Sequence, residues 1–164
     1  MFKKLIVNIV NSFWRFVYGE WTRAEVEKLY ESIPDVRALE QFLLNHKFEW
    51  RSDGLNACME LDTFARPEQT LARGWGNCGD FLRLYEDFLK FKKQGRFAQY
   101  ELTTPTKILG IIPSKRWHYA SLIDGIYIQS NVRLYPLING SAAESLSYYF
   151  GEYSNIRIID EWRS

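Results

Sequence analysis

A glycine-rich turn leads directly into a helical pattern that has a cysteine in its first turn. The stretch from Arg73 to Phe81 contains this turn and Cys78, the helical pattern follows from Leu82 to Phe91, and the helix ends near Gln94-Gly95. Apolar and charged residues fall on opposite sides of this pattern, which predicts a helix packed on a core. Free N–H groups and the positive dipole end of a helix stabilise an anion, so a thiol placed there can have a pKa of about 3.5–7.5 instead of about 8.5. Cys78 is therefore a candidate nucleophile; the alternative is a small buried residue, the ordinary environment of a free cysteine.

The elements around this helix predict the fold class. A capping box at Thr22 opens a helix to about Ser32, Pro34 starts the next helix, and Pro67 starts a short one. After Gly95 the pattern becomes strand-like, with one further short helix. The predicted strands are 97–103, 117–123, 126–134 and 156–162, with a loop at 105–115 and a helix at 142–150. Helices first and strands afterwards indicate one α+β domain, residues 1–164, with an antiparallel sheet.

Composition and charge exclude several classes of protein. The net charge of +1 gives no general attraction to nucleic acid. Two cysteines, Cys58 and Cys78, are too few for a disulfide framework, and no four-ligand zinc set is present. We interpret Cys58 as a core residue and expect a cytoplasmic protein that uses neither a metal nor a cofactor.

Residues 1–17 form an amphipathic helical pattern. Its apolar run is interrupted by Asn8 and Asn11 and is followed by no small-residue cleavage site, so we do not interpret it as a signal peptide. It is also too short and too polar to span a bilayer. The simplest interpretation is a helix docked on the domain's own core; the alternative is a helix that contacts a partner or a membrane surface.

A cysteine nucleophile needs a base, and the chain has only two histidines. His46 ends a helical pattern whose apolar residues indicate core packing, so we interpret it as structural or exposed. His118 begins a predicted strand 40 residues after Cys78 and is the candidate base. The bulky Trp117 precedes it, and we predict that Trp117, Trp75 and Gly76 contact substrate.

The third member of the site follows from the register of the hairpin that carries His118. If Asp124-Gly125 is a two-residue turn, the numbers of any two paired residues add up to 249. His118 then lies opposite Asn131. The oxygen of an amide there can accept a hydrogen bond from the imidazole N–H and keep the ring in one orientation. Asn131 is therefore the first choice and Gln129, its same-face neighbour, the second. Ser130 points away if the turn has two residues.

The segment that leads into Cys78 also resembles a known family. It reads Asp62-x-Phe64-Ala65-x-Pro67-Glu68-x-Thr70-Leu71-x-Arg73-Gly74-x-Gly76-x-Cys78-x-Asp80-Phe81. This pattern resembles the bacterial transglutaminase-like cysteine peptidases, in which a cysteine opens a helix and histidine and aspartate follow on adjacent antiparallel strands. The resemblance implies a papain/transglutaminase-like fold in a bacterial or phage protein. It makes Cys78 the nucleophile and His118 the base, and Asp80 matches an acidic residue of the family.

Two departures from the family pattern affect the expectations. Acidic residues usually flank the family's cysteine and bind calcium in some members, whereas this chain has Asn77 and Gly79, so we expect no calcium site. The usual third-position aspartate is replaced by Asn131, Gln129 or Ser130, depending on where the hairpin is gapped. An amide orients imidazole without stabilising imidazolium by charge, which predicts slower turnover or none.

The sequence thus predicts a thiol hydrolase, a peptidase or amidase, that acts on peptide or isopeptide bonds with a Cys78-His118-Asn131 triad and a protein or peptide substrate. The same acyl-enzyme could react with an amine, which would give a transglutaminase, or serve deamidation. The alternative from a different class is a weak or inactive domain that holds a protein partner in its cleft or through residues 1–17.

Overall fold

The computed structural model describes residues 12, 16–51, 65–93, 95–108 and 111–163 of the 164-residue chain. Within the predicted N-terminal helix, Ser12 and residues 16–18 are helical. The rest of that helix, Cys58 and the first part of the family-like segment lie outside the described residues. So do the central residues 109 and 110 of the predicted loop.

The chain order is helices first and sheet afterwards, as the sequence predicts. The helices are α1 (Arg23–Ser32), α2 (Val36–Asn45), α3 (Pro67–Arg73), α4 (Cys78–Lys92) and α5 (Ala142–Tyr149). The strands are β1 (Glu49–Trp50), β2 (Trp75–Gly76), β3 (Arg96–Ile108), β4 (Ile112–Ile123), β5 (Tyr127–Ser130), β6 (Arg133–Pro136) and β7 (Asn155–Arg163). The capping box at Thr22 and the proline start of α3 are confirmed.

The main sheet has five antiparallel strands in the order β6-β5-β4-β3-β7. Helix α4 packs on one face, where Phe81, Tyr85 and Phe88 join Phe97 and Ile123 in one apolar cluster with residues of α1 and α2. On the other face, Leu146 of α5 packs against a second apolar cluster formed by β3, β4 and β5. The architecture is therefore a mixed α+β fold with the sheet between two helical layers.

The predicted loop at 105–115 is wrong at both ends, because β3 and β4 form one long hairpin. Their pairing runs from Phe97 opposite Ile123 to Ile108 opposite Ile112. Pro105 indicated a break, since proline lacks the N–H that a central strand needs. Strand β7 pairs with β3 only as far as Thr103, so Pro105 has no second neighbouring strand to bond. The β-branched residues around it then extend the strand.

A second difference concerns the predicted strand 126–134, which is two strands. Asn131, with φ at +52°, turns the chain between β5 and β6. The Tyr85 hydroxyl of α4 donates to the Val132 carbonyl oxygen at 2.8 Å and so fixes this turn against the helix.

Candidate active site

The start of α4 is fixed by a reciprocal cap. The Asn77 side chain accepts a hydrogen bond from the Asp80 N–H at 3.0 Å, and the Asp80 carboxylate accepts one from the Asn77 N–H at 2.9 Å. These two bonds satisfy donors that a helix end leaves open. Cys78 is consequently the first residue of the helix, as the sequence predicts.

Asp80 also holds the glycine turn that precedes the cysteine. Its carboxylate is completely buried, accepts the Ala65 N–H at 2.6 Å, and forms an ion pair with the buried guanidinium of Arg73. Arg73 in turn donates to the Trp75 carbonyl oxygen at 2.7 Å and lies 4.2 Å from the centroid of the Trp75 ring. A Cβ on Gly76 would lie 2.9 Å from the Asp80 Cβ, so glycine is required for this close approach. One buried ion pair therefore sets the path of the chain into Cys78.

The Cys78 thiol is surrounded by backbone donors from two elements. The N–H of Tyr119 in β4 and the N–H groups of Gly79 and Cys78, at the start of α4, are close enough to lower its pKa. Strand β5 ends at Ser130, opposite Ala120, so it stops one residue short of Tyr119. The thiol thus lies against the part of β4 that β5 leaves uncovered, beside the residue that follows His118.

His118 is held by a hydroxyl and two aromatic rings. Its Nε2 lies 2.8 Å from the Ser130 Oγ, and its ring packs on Phe150 and Tyr153 at centroid distances of 5.0 and 5.7 Å. Burial raises the pKa of Tyr153, and the charge of Glu152 and, to a smaller extent, that of Cys78 raise it further, so Tyr153 lies near Cys78. Cys78 and His118 therefore share two neighbours, Tyr119 and Tyr153.

Burial favours the neutral form of both groups. It raises the pKa of the Cys78 thiol to about 11, more than the three N–H donors lower it, and it lowers the pKa of His118 to about 4. The expected depression of the thiol pKa by the helix start is therefore wrong, because burial outweighs it. At neutral pH the pair is a thiol and an imidazole, not a thiolate and an imidazolium.

The pKa of His118 predicts a specific pH dependence of stability. Because its pKa falls from 6.5 to about 4 on folding, the unfolded chain takes up the proton first as the pH falls. Above pH ~6.5 the imidazole is neutral in both states, so His118 does not change the free energy of unfolding. As the pH falls to ~4, protonation of His118 in the unfolded chain lowers that free energy by about 3 kcal/mol. Urea unfolding across this range should show that loss in the native protein and in His46→Gln but not in His118→Gln. An equal pH dependence in all three proteins would contradict the assignment.

The predicted hairpin register is wrong by one residue. Ile123 pairs with Tyr127, so the turn contains Asp124, Gly125 and Ile126, and paired residues sum to 250. Ala120 then lies opposite Ser130, which places the Ser130 side chain on the face of the sheet that carries His118. Ser130, the residue that the two-residue turn excluded, is the one bonded to the imidazole.

The two amides predicted to orient His118 lie elsewhere. Gln129 is on the opposite face, where its Oε1 accepts from the Ser121 hydroxyl at 2.8 Å and its Nε2 donates to the Asn131 carbonyl oxygen at 2.6 Å. Asn131 is in the β5–β6 turn, and its Oδ1 is buried without a hydrogen-bond partner among the described residues. Neither side chain is bonded to His118. The His46 Nδ1 lies 2.8 Å from the Phe42 carbonyl oxygen, and the imidazole packs on the Phe42 ring at a centroid distance of 4.2 Å.

The residues predicted to contact substrate differ in accessibility. Trp75 is only 7% exposed beneath Arg73, and Gly76 is buried against Asp80, so both shape the turn rather than line an open surface. Trp117 is partly exposed and remains a candidate. Trp50 has no motif that would have selected it. It is 51% exposed and pairs in a short parallel ladder with Gly76, which lies two residues before Cys78.

Tyr153 is a further residue that sequence reasoning missed. It lies 75 residues after Cys78 in a segment with no motif, and only the packing of the α5–β7 connection brings it to His118. Its ring covers the imidazole, and it also interacts with Arg116. This position suits a residue that keeps the imidazole in place and limits the access of water.

The described residues contain no group of three or more His, Cys, Asp or Glu side chains placed to hold a metal ion. None of the helices in the described ranges is long and apolar enough to cross a membrane. Comparison with protein-family models, with curated proteins and with solved structures finds no match to this chain.

Proposed function

We propose that this protein is a cysteine-dependent hydrolase that acts on peptide or isopeptide amide bonds, with Cys78 as nucleophile and His118 as base. The observation that carries the proposal is the position of the Cys78 thiol, which interacts with the β4 backbone at the residue after His118, while the Nε2 of that histidine is bonded to Ser130. The triad is therefore revised to Cys78, His118 and Ser130.

The Ser130 bond defines which imidazole nitrogen does the chemistry. If Nε2–H donates to the Ser130 Oγ, Nδ1 carries the lone pair. Nδ1 can then take the thiol proton as the sulfur attacks the substrate carbonyl carbon. The imidazolium gives that proton to the leaving amine, and a water molecule then cleaves the thioester to release the acid and restore the thiol. Ser130 acts through His118 and is a positioning residue.

The backbone donors around the sulfur supply the electrostatic part of the mechanism. The N–H groups of Cys78 and Gly79 approach the thiol, and they are free of helix hydrogen bonds because they belong to the first turn. As the sulfur attacks, negative charge develops on the carbonyl oxygen bound to the same carbon. N–H donors at that point stabilise this oxyanion without reorganisation of solvent.

The neutral state of the pair favours one second candidate, a protein-binding domain with little or no activity. An imidazole with a pKa of about 4 is a weak base, and a thiol with a pKa of about 11 is almost entirely protonated at neutral pH. Binding would then use exposed aromatic surface such as that of Trp50 and Trp117. Reaction of the acyl-enzyme with an amine instead of water remains a variant of the first candidate.

A hydrolysis assay with one matched control separates these candidates. The native protein should release p-nitrophenol from p-nitrophenyl acetate with turnover and cleave members of a peptide-anilide library. Cys78→Ala should abolish both activities, whereas Cys58→Ala, which removes the only other thiol, should retain them. If both variants keep the ester turnover of the native protein, Cys78 is not the nucleophile, and the binding domain is favoured.

A further inference from the structure

The two edges of the main sheet are closed to very different extents. Strand β6 has four residues and ends at Pro136. The Leu134 N–H on its outer side donates to the buried Glu40 carboxylate at 2.8 Å, and the Leu134 carbonyl oxygen accepts from Arg37 at 3.4 Å. Side chains of α2 thus occupy the backbone groups to which another strand would bond. Short edge strands with covered backbone groups are a common protection against unwanted pairing.

Strand β7, at the other edge, has none of these protections. It is nine residues long, every residue except Trp162 is exposed, and it contains no proline, glycine or lysine. Among the described residues, only β3 pairs with it, on its inner side. Its exposed residues include three isoleucines, Ile156, Ile158 and Ile159, which are 40%, 54% and 39% exposed. A long, exposed edge with its outer backbone groups unpaired by another described strand is a template for a further strand.

A register shift in β7 places its charged residues on one face. Arg157 lies opposite Glu101 and Asp160 lies opposite Gln99, so one extra residue is accommodated in β7 between Ile158 and Asp160. Glu101 and Gln99 are two residues apart in β3 and point to the same face. Arg157 and Asp160 therefore also share a face.

Arg157 and Asp160 have opposite charges, and both can form further hydrogen bonds or ion pairs. Arg157 donates to Glu101 at 2.9 Å through one nitrogen, but its side chain is 70% exposed and carries further N–H donors. Asp160 is exposed and makes no ion pair with another described residue. Their order along the strand makes the edge self-complementary, because an antiparallel copy presents Asp160 where the first copy presents Arg157.

We propose that β7 pairs in antiparallel orientation with β7 of a second copy of this chain, which joins the two sheets into one of ten strands. The two-fold axis passes between Ile158 and Ile159. Arg157 of each copy then lies opposite Asp160 of the other, which gives two reciprocal ion pairs, and the isoleucines meet at the axis. The interface is isologous, as a two-fold dimer requires.

A substitution at the axis tests the proposal with a closely matched control. Ile158→Lys places two like charges at the centre of the dimer, whereas Ile126→Lys makes the same change at a residue with the same 54% exposure in the β4–β5 turn. Sedimentation equilibrium should show a concentration-dependent dimer for the native chain and for Ile126→Lys, and a monomer for Ile158→Lys. A native chain that is monomeric at every soluble concentration would overturn the proposal. The strand that pairs with β7 would then belong to a peptide or to another part of the chain. A dimer that Ile158→Lys leaves intact would place the interface elsewhere.

Charge reversal tests the register itself. Arg157→Asp puts like charges opposite each other in its own dimer, and so does Asp160→Arg, so each variant alone should dimerise about tenfold more weakly. A mixture of the two variants restores both opposite-charge pairs. Native mass spectrometry of that mixture should show the heterodimer in excess over either homodimer. A statistical mixture of the three species would contradict the proposed pairing.

Discussion

Replacement of Asp80 by alanine is expected to lower the free energy of unfolding by about 3–5 kcal/mol. The carboxylate is fully buried, pairs with Arg73, and accepts N–H bonds from Ala65 and Asn77. Its removal leaves the Arg73 guanidinium buried without its counter-charge and removes one half of the cap on α4. Urea unfolding of the native protein and the variant measures the difference. The effect is large because it follows from a buried unpaired charge rather than from the loss of one hydrogen bond.

An exposed ion pair provides the control for this prediction. Glu49 and Arg51 form a pair at 2.9 Å in which both side chains are more than half exposed. Glu49→Ala should therefore cost less than about 1 kcal/mol. The double variant Arg73→Ala/Asp80→Ala should be more stable than the sum of the single variants predicts, because it leaves no unpaired charge. Additive losses would show that the two groups do not interact across the turn.

Replacement of His118 by alanine is expected to reduce turnover about 10²–10⁴-fold, the usual contribution of a general base. The loss should appear in kcat, since the imidazole acts on the thiol proton and not on substrate binding. Imidazole added to the solution should restore part of the rate if the space left by the ring admits it. Stopped-flow or steady-state measurement with the aryl ester of the first assay provides the readout.

Ser130→Ala should have a smaller effect that separates positioning from folding. Loss of one neutral hydrogen bond to the ring predicts a fall in kcat of roughly tenfold, with KM unchanged. The pH profile should also shift, because the Ser130 Oγ accepts a hydrogen bond from Nε2–H and so favours the imidazolium that forms when Nδ1 takes the thiol proton. Ser121→Ala is the matched control, since Ser121 is equally buried but bonds Gln129 on the opposite face. Equal losses in the two variants would indicate a general effect on the sheet.

Local signals in the sequence were sufficient for much of the fold. The cap at Thr22, the proline at the start of α3 and the glycine turn before Cys78 each act over a few residues, and their elements form where predicted. The prediction at 105–115 was wrong because the effect of Pro105 depends on whether a neighbouring strand pairs there. That is a property of the whole sheet and has no local signature.

The sequence predicts Cys78 and His118 as nucleophile and base, and these roles remain a proposal, whereas the predicted partner of His118 was wrong. Cys78 follows from a helix start, and His118 follows from the scarcity of histidines. Ser130 was excluded as the partner of His118 because a two-residue turn was assumed. The turn has one more residue, and this moves every later side chain of the hairpin to the other face of the sheet. The pKa of the thiol is raised by its burial in the folded chain, which the helix start alone does not reveal.

The central claim is that Cys78 and His118 act together on one carbonyl group, and the most direct measurement is the site and rate of acylation. The protein is mixed with p-nitrophenyl acetate, quenched with acid after short times, and mapped by peptide mass spectrometry. The acetyl group should appear on Cys78 and not on Cys58, and its rate of appearance should fall at least a hundredfold in His118→Ala. Acetylation of both cysteines at similar rates, or a Cys78 rate that is unchanged without His118, would contradict the account.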